Sequence, residues 1–148
     1  MSLEKRRWTK RRLYQNQPIL LIMRLILGAV IIQDKKLLIV RKKKHWILPG
    51  GKPEGNETDQ ECLIRETAEE LSDTKLKNLR FYKDFIGTSA HDGDTIKLRI
   101  YFADIDGKLG KPSQEISELA WANDINGYDF HGGVSVQVIA KLRQDKYI

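Results

Sequence analysis

The sequence predicts an α+β fold, and three observations carry that prediction. Short stretches rich in Ile, Leu and Val, bounded by polar or Gly-containing turns, mark strands. The segment from Thr58 to Ser72 has neither Gly nor Pro and marks a helix. No strand–helix–strand unit repeats, which favours α+β over a doubly wound sheet. At 148 residues, 41% hydrophobic and 31% charged, the chain suits one globular domain and is too apolar to be disordered.

Residues 1–17 are basic and polar, with Trp8 and Tyr14 interleaved and no apolar period, so a flexible N-terminal arm is expected ahead of a single domain over 18–148. Six of the 26 basic residues and one of the 20 acidic ones lie in the first twelve positions, which leaves 20 against 19 elsewhere. The net charge of +6 therefore belongs to the arm. The apolar run from Pro18 to Ile32 is broken by Arg24 and Gly28 and predicts no membrane span. The N-terminus lacks the pattern of a secretory signal. The single Cys62 cannot form an internal disulfide, which predicts a reducing, cytoplasmic setting.

Residues 19–32 read as a strand, the polar turn Gln33 to Lys36 follows, and Leu37 to Arg41 reads as its hairpin partner. Trp46 to Leu48 leads into Pro49, Gly50 and Gly51, where a loop must begin. In the helix, Ile64, Thr67, Ala68 and Leu71 recur at i, i+3, i+4 and i+7 and predict the buried face. Thr58 followed by Glu61 matches a capping box. Leu79 to Thr88 and Thr95 to Asp106 flank His91 to Asp94 as a second hairpin. Ile116 to Trp121 is a short strand, and Val134 to Leu142 a closing helix.

The chemistry is concentrated between Gly50 and Asp73. Glu66, Glu69 and Glu70 stand at i, i+3 and i+4, so the expectation is one shared patch of three carboxylates away from the buried face. With Asp73 they form like-charged pairs worth about 0.2–0.5 kcal/mol of repulsion each. Arg65 offsets part of this through Glu61 and Glu69, each four residues away. The remaining excess calls for a cation. Hard oxygen ligands suit Mg²⁺, with Mn²⁺ as the alternative. A solvated acidic face is the bland reading of the same residues.

Gly51, Glu57, Arg65, Glu66, Glu69 and Glu70 fall at the spacings of the Nudix box, and the preceding Leu48-Pro49-Gly50-Gly51-Lys52 is similar to that family's leading loop. The chain thus resembles the Nudix hydrolases, with three departures: Thr67 at the first aliphatic position, Ser72 in place of Gly, and Asp73 in place of the last aliphatic residue. The resemblance implies an α/β/α sandwich with a mixed central sheet and metal-dependent hydrolysis of a diphosphate bond in a nucleoside diphosphate derivative such as ADP-ribose or a sugar nucleotide. It implies Mg²⁺ ligands at Glu66, Glu69, Glu70 and the Gly50 carbonyl. Arg65 would orient the cluster through Glu69, and Glu57 would fix the loop to the helix. The catalytic base would be Glu69 or a distant carboxylate, for which Glu115 and Glu118 are the candidates. A small nucleotide is the implied partner, and a homodimer is the assembly the family suggests.

Two other readings compete. Pyrophosphohydrolysis of nucleoside triphosphates uses the same box. A non-catalytic nucleotide- or RNA-binding module would use the basic arm with Trp8. The remaining candidates have plainer readings. Cys62 suits a small buried thiol. His45, His91 and His131 lack ligand spacing. Arg41 to Lys44 is either a phosphate-attracting or a solvated turn. Tyr82, Phe85, Tyr101 and Phe102 are core residues before they are base-stacking ones.

Overall fold

The computed structural model of the protein describes residues 23–89, 91–123, 125–130 and 133–148. The basic arm, the predicted start of the first strand at 19–22, and His131 lie outside the described residues. Strands β1 (Arg24–Val30), β2 (Ile32–Gln33), β3 (Lys36–Lys42), β4 (His45–Ile47) and β5 (Gly50–Gly51) precede helix α1 (Asp59–Glu70). Then come β6 (Lys75–Thr88), β7 (Thr95–Asp106), β8 (Ile116–Ala122), a 3₁₀ turn (Ile125–Gly127) and helix α2 (Gly133–Gln144).

One sheet has the order β5-β1-β7-β6 and is mixed: β1 runs parallel to β7, from Arg24 opposite Ile96 to Val30 opposite Phe102, while β5 and β6 are antiparallel to their neighbours. In the other, β3 is central, with β8 along one edge and β2 then β4 along the opposite edge. This is the α+β class and the α/β/α sandwich expected from the sequence. Alternation along β1 and β3 explains why two helices are needed. Leu27, Ala29, Ile31, Leu38 and Val40 pack with Cys62, Leu63 and Leu71 of the α1 segment. Val30, Leu37 and Ile39 pack on the opposite side with Val134, Val138, Ile139 and Leu142 of α2. Among the described residues, no helix is long and apolar enough to cross a membrane.

The first hairpin differs from its expected form. Its turn is Asp34-Lys35, both left-handed (φ 51° and 60°), which matches the type I′ geometry that suits strand twist. The turn joins β2 to β3, however, while β1 leaves to pair with β7 and β5. The second hairpin forms as expected, with β6 beginning at Lys75 rather than Leu79.

Helix α1 also departs from expectation in which face it buries. Its buried residues are Cys62, Leu63, Thr67 and Glu70, followed by Leu71, whereas Ile64 is 43% exposed. The periodicity is the expected one, rotated by one residue. Leu63 supplies the inward anchor, and the Glu70 carboxylate has a backbone partner that makes its burial tolerable.

Candidate active site

Two glycines allow the loop before α1 to pass between the sheet and the helix. Gly50 has φ 146°, and a Cβ there would fall 2.0 Å from the Leu27 carbonyl oxygen. At Gly51 a Cβ would fall 2.5 Å from the Glu66 carboxyl carbon. The backbone thus lies directly against a carboxylate. Thr58 caps the helix by accepting the Glu61 N–H at 3.2 Å, and its hydroxyl donates to the Glu61 carboxylate at 3.1 Å. Asp59, the first helical residue, accepts from the Tyr101 hydroxyl at 2.7 Å and from Arg99 at 3.3 Å, which ties the helix start to β7.

Arg65 is the hub of the loop–helix junction. Its Nε and Nη2 donate to the two Glu57 oxygens at 2.6 and 2.9 Å, a bidentate pair. Nη2 also donates to the Lys52 carbonyl at 3.2 Å, and Nη1 to Glu66 at 3.0 Å and to Glu69 at 3.4 Å. The guanidinium beside Glu57 holds that carboxyl below its usual range, and Glu57 in turn accepts the Glu54 N–H at 2.7 Å. The expected Arg65–Glu61 pairing does not form; Glu61 is turned to the cap instead.

Glu70 is 7% exposed and accepts the Gly50 N–H at 2.8 Å. Burial, then the charge of Glu66, pushes its carboxyl up to about 8, against the pull of the Gly50 N–H and Lys42. Burial likewise raises Glu66, more than Arg65 lowers it. The three carboxylates therefore do not share one solvent-facing patch. Glu66 and Glu69 turn to Arg65, and Glu70 turns inward to the loop. Among the described residues, no three acidic, His or Cys side chains converge in a geometry that would hold a metal ion.

The departures at the helix exit are accommodated locally. Asp73 (φ 59°), not Ser72, takes the left-handed position, and its N–H donates to the Ala68 carbonyl at 3.0 Å. A residue short enough to tolerate that conformation stands where it is needed. The last carbonyls of α1 are sealed by a distant segment: Ser113 donates its N–H to Glu70 O at 2.9 Å and its hydroxyl to Glu69 O. This seal carries Glu115 toward Glu70, and the negative charge of Glu115 contributes to the raised Glu70 carboxyl.

Glu115 pairs with Lys42 at 2.9 Å, and the ammonium holds its carboxyl below the usual range. Glu118 stands opposite Arg41 in the β3–β8 ladder and pairs with it at 3.4 Å. A cavity of about 290 Å³ opens beside Gly50 and Gly51. Its walls include Ile26, Leu48, Ile96, Leu98 and Val134, and its lip includes Arg24, Lys42, Lys52 and His91. Nothing in the sequence singles out Arg24 for this place; Lys52 reads there as part of the loop leading into the box, His91 as lacking ligand spacing, and Lys42 as part of a turn that either attracts phosphates or is solvated. Arg24 is held by Asp92 at 2.7 Å. Cys62 is fully buried, donates to the Gly51 carbonyl at 3.8 Å, and has its thiol pushed up to about 11 by burial. Tyr82, Phe85 and Phe102 pack together with Tyr147, and Tyr101 stacks edge-on against Phe81; none lines the cavity.

Residues 23–123 match the family profile described as the NUDIX domain. The chain belongs to the Nudix hydrolase family. Among solved structures, this Nudix chain is similar to a NUDIX hydrolase from Nitrosomonas europaea, with a TM-score of 0.71 and 20% identity over 84% of this chain and 90% of that one. It is similar to a UDP-X diphosphatase, with a TM-score of 0.69 and 17% identity over 98% of this chain and 73% of that one. A MutT NUDIX hydrolase from Burkholderia pseudomallei gives a TM-score of 0.58 and 25% identity over 66% of this chain and 81% of that one. No curated protein matches the chain by sequence.

Proposed function

We propose that this Nudix protein is a Mg²⁺-dependent hydrolase that cleaves the diphosphate bond of a nucleoside diphosphate derivative, such as ADP-ribose or a sugar nucleotide. The observation that carries the proposal is the assembly of the box residues around Arg65 and two desolvated carboxylates, Glu66 and Glu70, next to a cation-lipped cavity. A solvated acidic face would not bury Glu70 or hold Glu66 against Gly51. The proposed class of substrate accords with the name of the UDP-X diphosphatase whose fold the chain resembles.

In its chemistry, the donor set suits a hard divalent ion, although among the described residues the carboxylates do not converge on a common point. Glu66, Glu69, Glu70 and the Gly50 carbonyl offer only oxygen, and the burial that raises the Glu66 and Glu70 carboxyls disfavours their ionised forms, a cost that a bound cation would offset. When bound, Mg²⁺ supplies charge neutralisation and Lewis-acid polarisation of the phosphate oxygens. The protein's own residues do the rest. Arg65, fastened to Glu57, fixes the loop to the helix and restrains Glu66. Glu70 holds the loop through the Gly50 N–H. Glu69, 48% exposed and in contact with Arg65 only at 3.4–3.5 Å, is the least constrained of the three and is proposed to take the proton of the attacking water. Glu115, which stands near enough to act on Glu70, is the second candidate for that role, and Glu118, paired with Arg41 across the β3–β8 ladder, the third.

The test is phosphate release from ADP-ribose, sugar nucleotides, dinucleoside polyphosphates and nucleoside triphosphates, with Mg²⁺ or Mn²⁺, for wild type and Glu69→Gln. Metal-dependent turnover of a nucleoside diphosphate derivative that collapses in the variant is expected. Turnover confined to triphosphates would move the reading to triphosphate pyrophosphohydrolysis, and no turnover across the panel would overturn the enzyme assignment.

A further inference from the structure

We propose that Lys42, which lies outside the box, holds the substrate's phosphates at the cavity lip, and that it does so by exchanging its ion pair with Glu115 for the incoming anion. Three observations support this. Lys42 lines the cavity that opens beside Gly50 and Gly51. The ladder between β3 and β8 slips between Arg41 and Lys42, and bulges of this kind re-aim a side chain away from simple alternation. Its partner is weakly held: the Lys42–Glu115 pair is 2.9 Å long, but the Glu115 side chain is 70% exposed and that of Lys42 30% exposed.

Charge arithmetic decides which partner wins. An exposed ion pair of this type contributes little. A diphosphate carries more than one negative charge, and Coulombic attraction scales with charge at equal distance, so a phosphate entering the cavity outcompetes a single exposed carboxylate. Of the other basic residues at the lip, Arg24 is more firmly committed, since it meets Asp92 at 2.7 Å and Asp94 at 3.7 Å. Lys42 also stands near the catalytic carboxylates, because its charge acts on Glu70 as well as on Glu115. Exchange therefore releases the Glu115 carboxylate beside the cluster at the moment a substrate's phosphates are bound.

The inference rests on the diphosphate chemistry proposed above, but it is tested by binding rather than turnover. The probe is inorganic pyrophosphate with Mg²⁺, titrated calorimetrically at low ionic strength into wild type, Lys42→Met, Glu115→Gln and the double variant, with thermal melts to confirm that each is folded. Lys42→Met is expected to weaken binding by about tenfold or more, the loss typical of a charge-assisted hydrogen bond. Glu115→Gln is expected to tighten it roughly twofold to fivefold, the worth of an exposed pair no longer competing, and the double variant to match Lys42→Met. If Glu115→Gln binds pyrophosphate equally or more weakly, or if Lys42→Met leaves binding unchanged, the exchange is overturned. Pyrophosphate bound through Lys42 without turnover of any substrate would sink the hydrolase reading alone. Turnover with binding indifferent to Lys42 would sink this inference alone.

Discussion

Replacing Glu70 with Gln should stabilise the metal-free protein at neutral and alkaline pH while removing its response to Mg²⁺. The carboxyl is 7% exposed, so solvent does little to screen it. A Gln side-chain oxygen can accept the same Gly50 N–H that Glu70 accepts at 2.8 Å. The folded-state value of about 8 lies above the ordinary 4.5. Folding therefore favours the protonated form, and the stability this group allows is complete below pH 4.5 and is lost as pH rises toward 8. Three and a half pH units at about 1.4 kcal/mol each set a ceiling of ~5 kcal/mol on the loss. Urea unfolding in EDTA from pH 4.5 to 9 measures it. The two proteins should be equally stable at the acid end, and the variant should gain steadily to pH 8, then level off. Added Mg²⁺ should recover stability in the wild type by mass action and much less in the variant. A stability difference that does not change between pH 5 and 8 would refute the view that burial holds this proton.

Other perturbations test other parts of the site. Gly51→Ala places a methyl 2.5 Å from the Glu66 carboxyl carbon and should lower kcat by roughly 10²-fold, with circular dichroism showing an intact fold. Arg65→Lys cannot reproduce the bidentate bond to Glu57 together with the contact to Glu66. It should cost about 1–3 kcal/mol in chemical denaturation and most of the activity. The rotated face of α1 predicts opposite outcomes for neighbouring residues: Leu63→Ala should cost about 2–5 kcal/mol, and Ile64→Ala, at an exposed position, no more than about 0.5 kcal/mol. Equal losses at the two positions would contradict that packing.

What was legible in the sequence was local. The box spacing, the Thr58 cap, the glycine passage and the strands of the second hairpin all depend on residues within a few positions of one another, and the structure places them as elements accordingly. The face of α1 was misread because apolar periodicity gives no weight to a carboxylate that finds a backbone donor, as Glu70 does at Gly50. The cavity lip is legible only in part: the sequence marks the Lys42 turn as phosphate-attracting or solvated and Lys52 as part of the leading loop, but not the assembly of these residues around one cavity. Arg24, Lys42 and His91 meet through the pairing of β1 with β7 and the turn between β6 and β7, which no local pattern encodes. The approach of Glu115 to Glu70 depends likewise on Ser113 sealing the end of α1, a contact between segments far apart in the chain.

The parallel pairing of β1 with β7 has a kinetic consequence. Arg24 meets Ile96 and Val30 meets Phe102 only after the whole box helix and strand β6 have been threaded between them. Contacts of such long sequence separation are closed late and slow folding. The leading loop leans on β1 at Leu27, and β1 is fixed only when β7 arrives. The box segment cut out as a peptide would therefore lack the wall against which its glycines bend. During synthesis, the carboxylates would remain unorganised until the strand some seventy residues downstream of β1 had emerged.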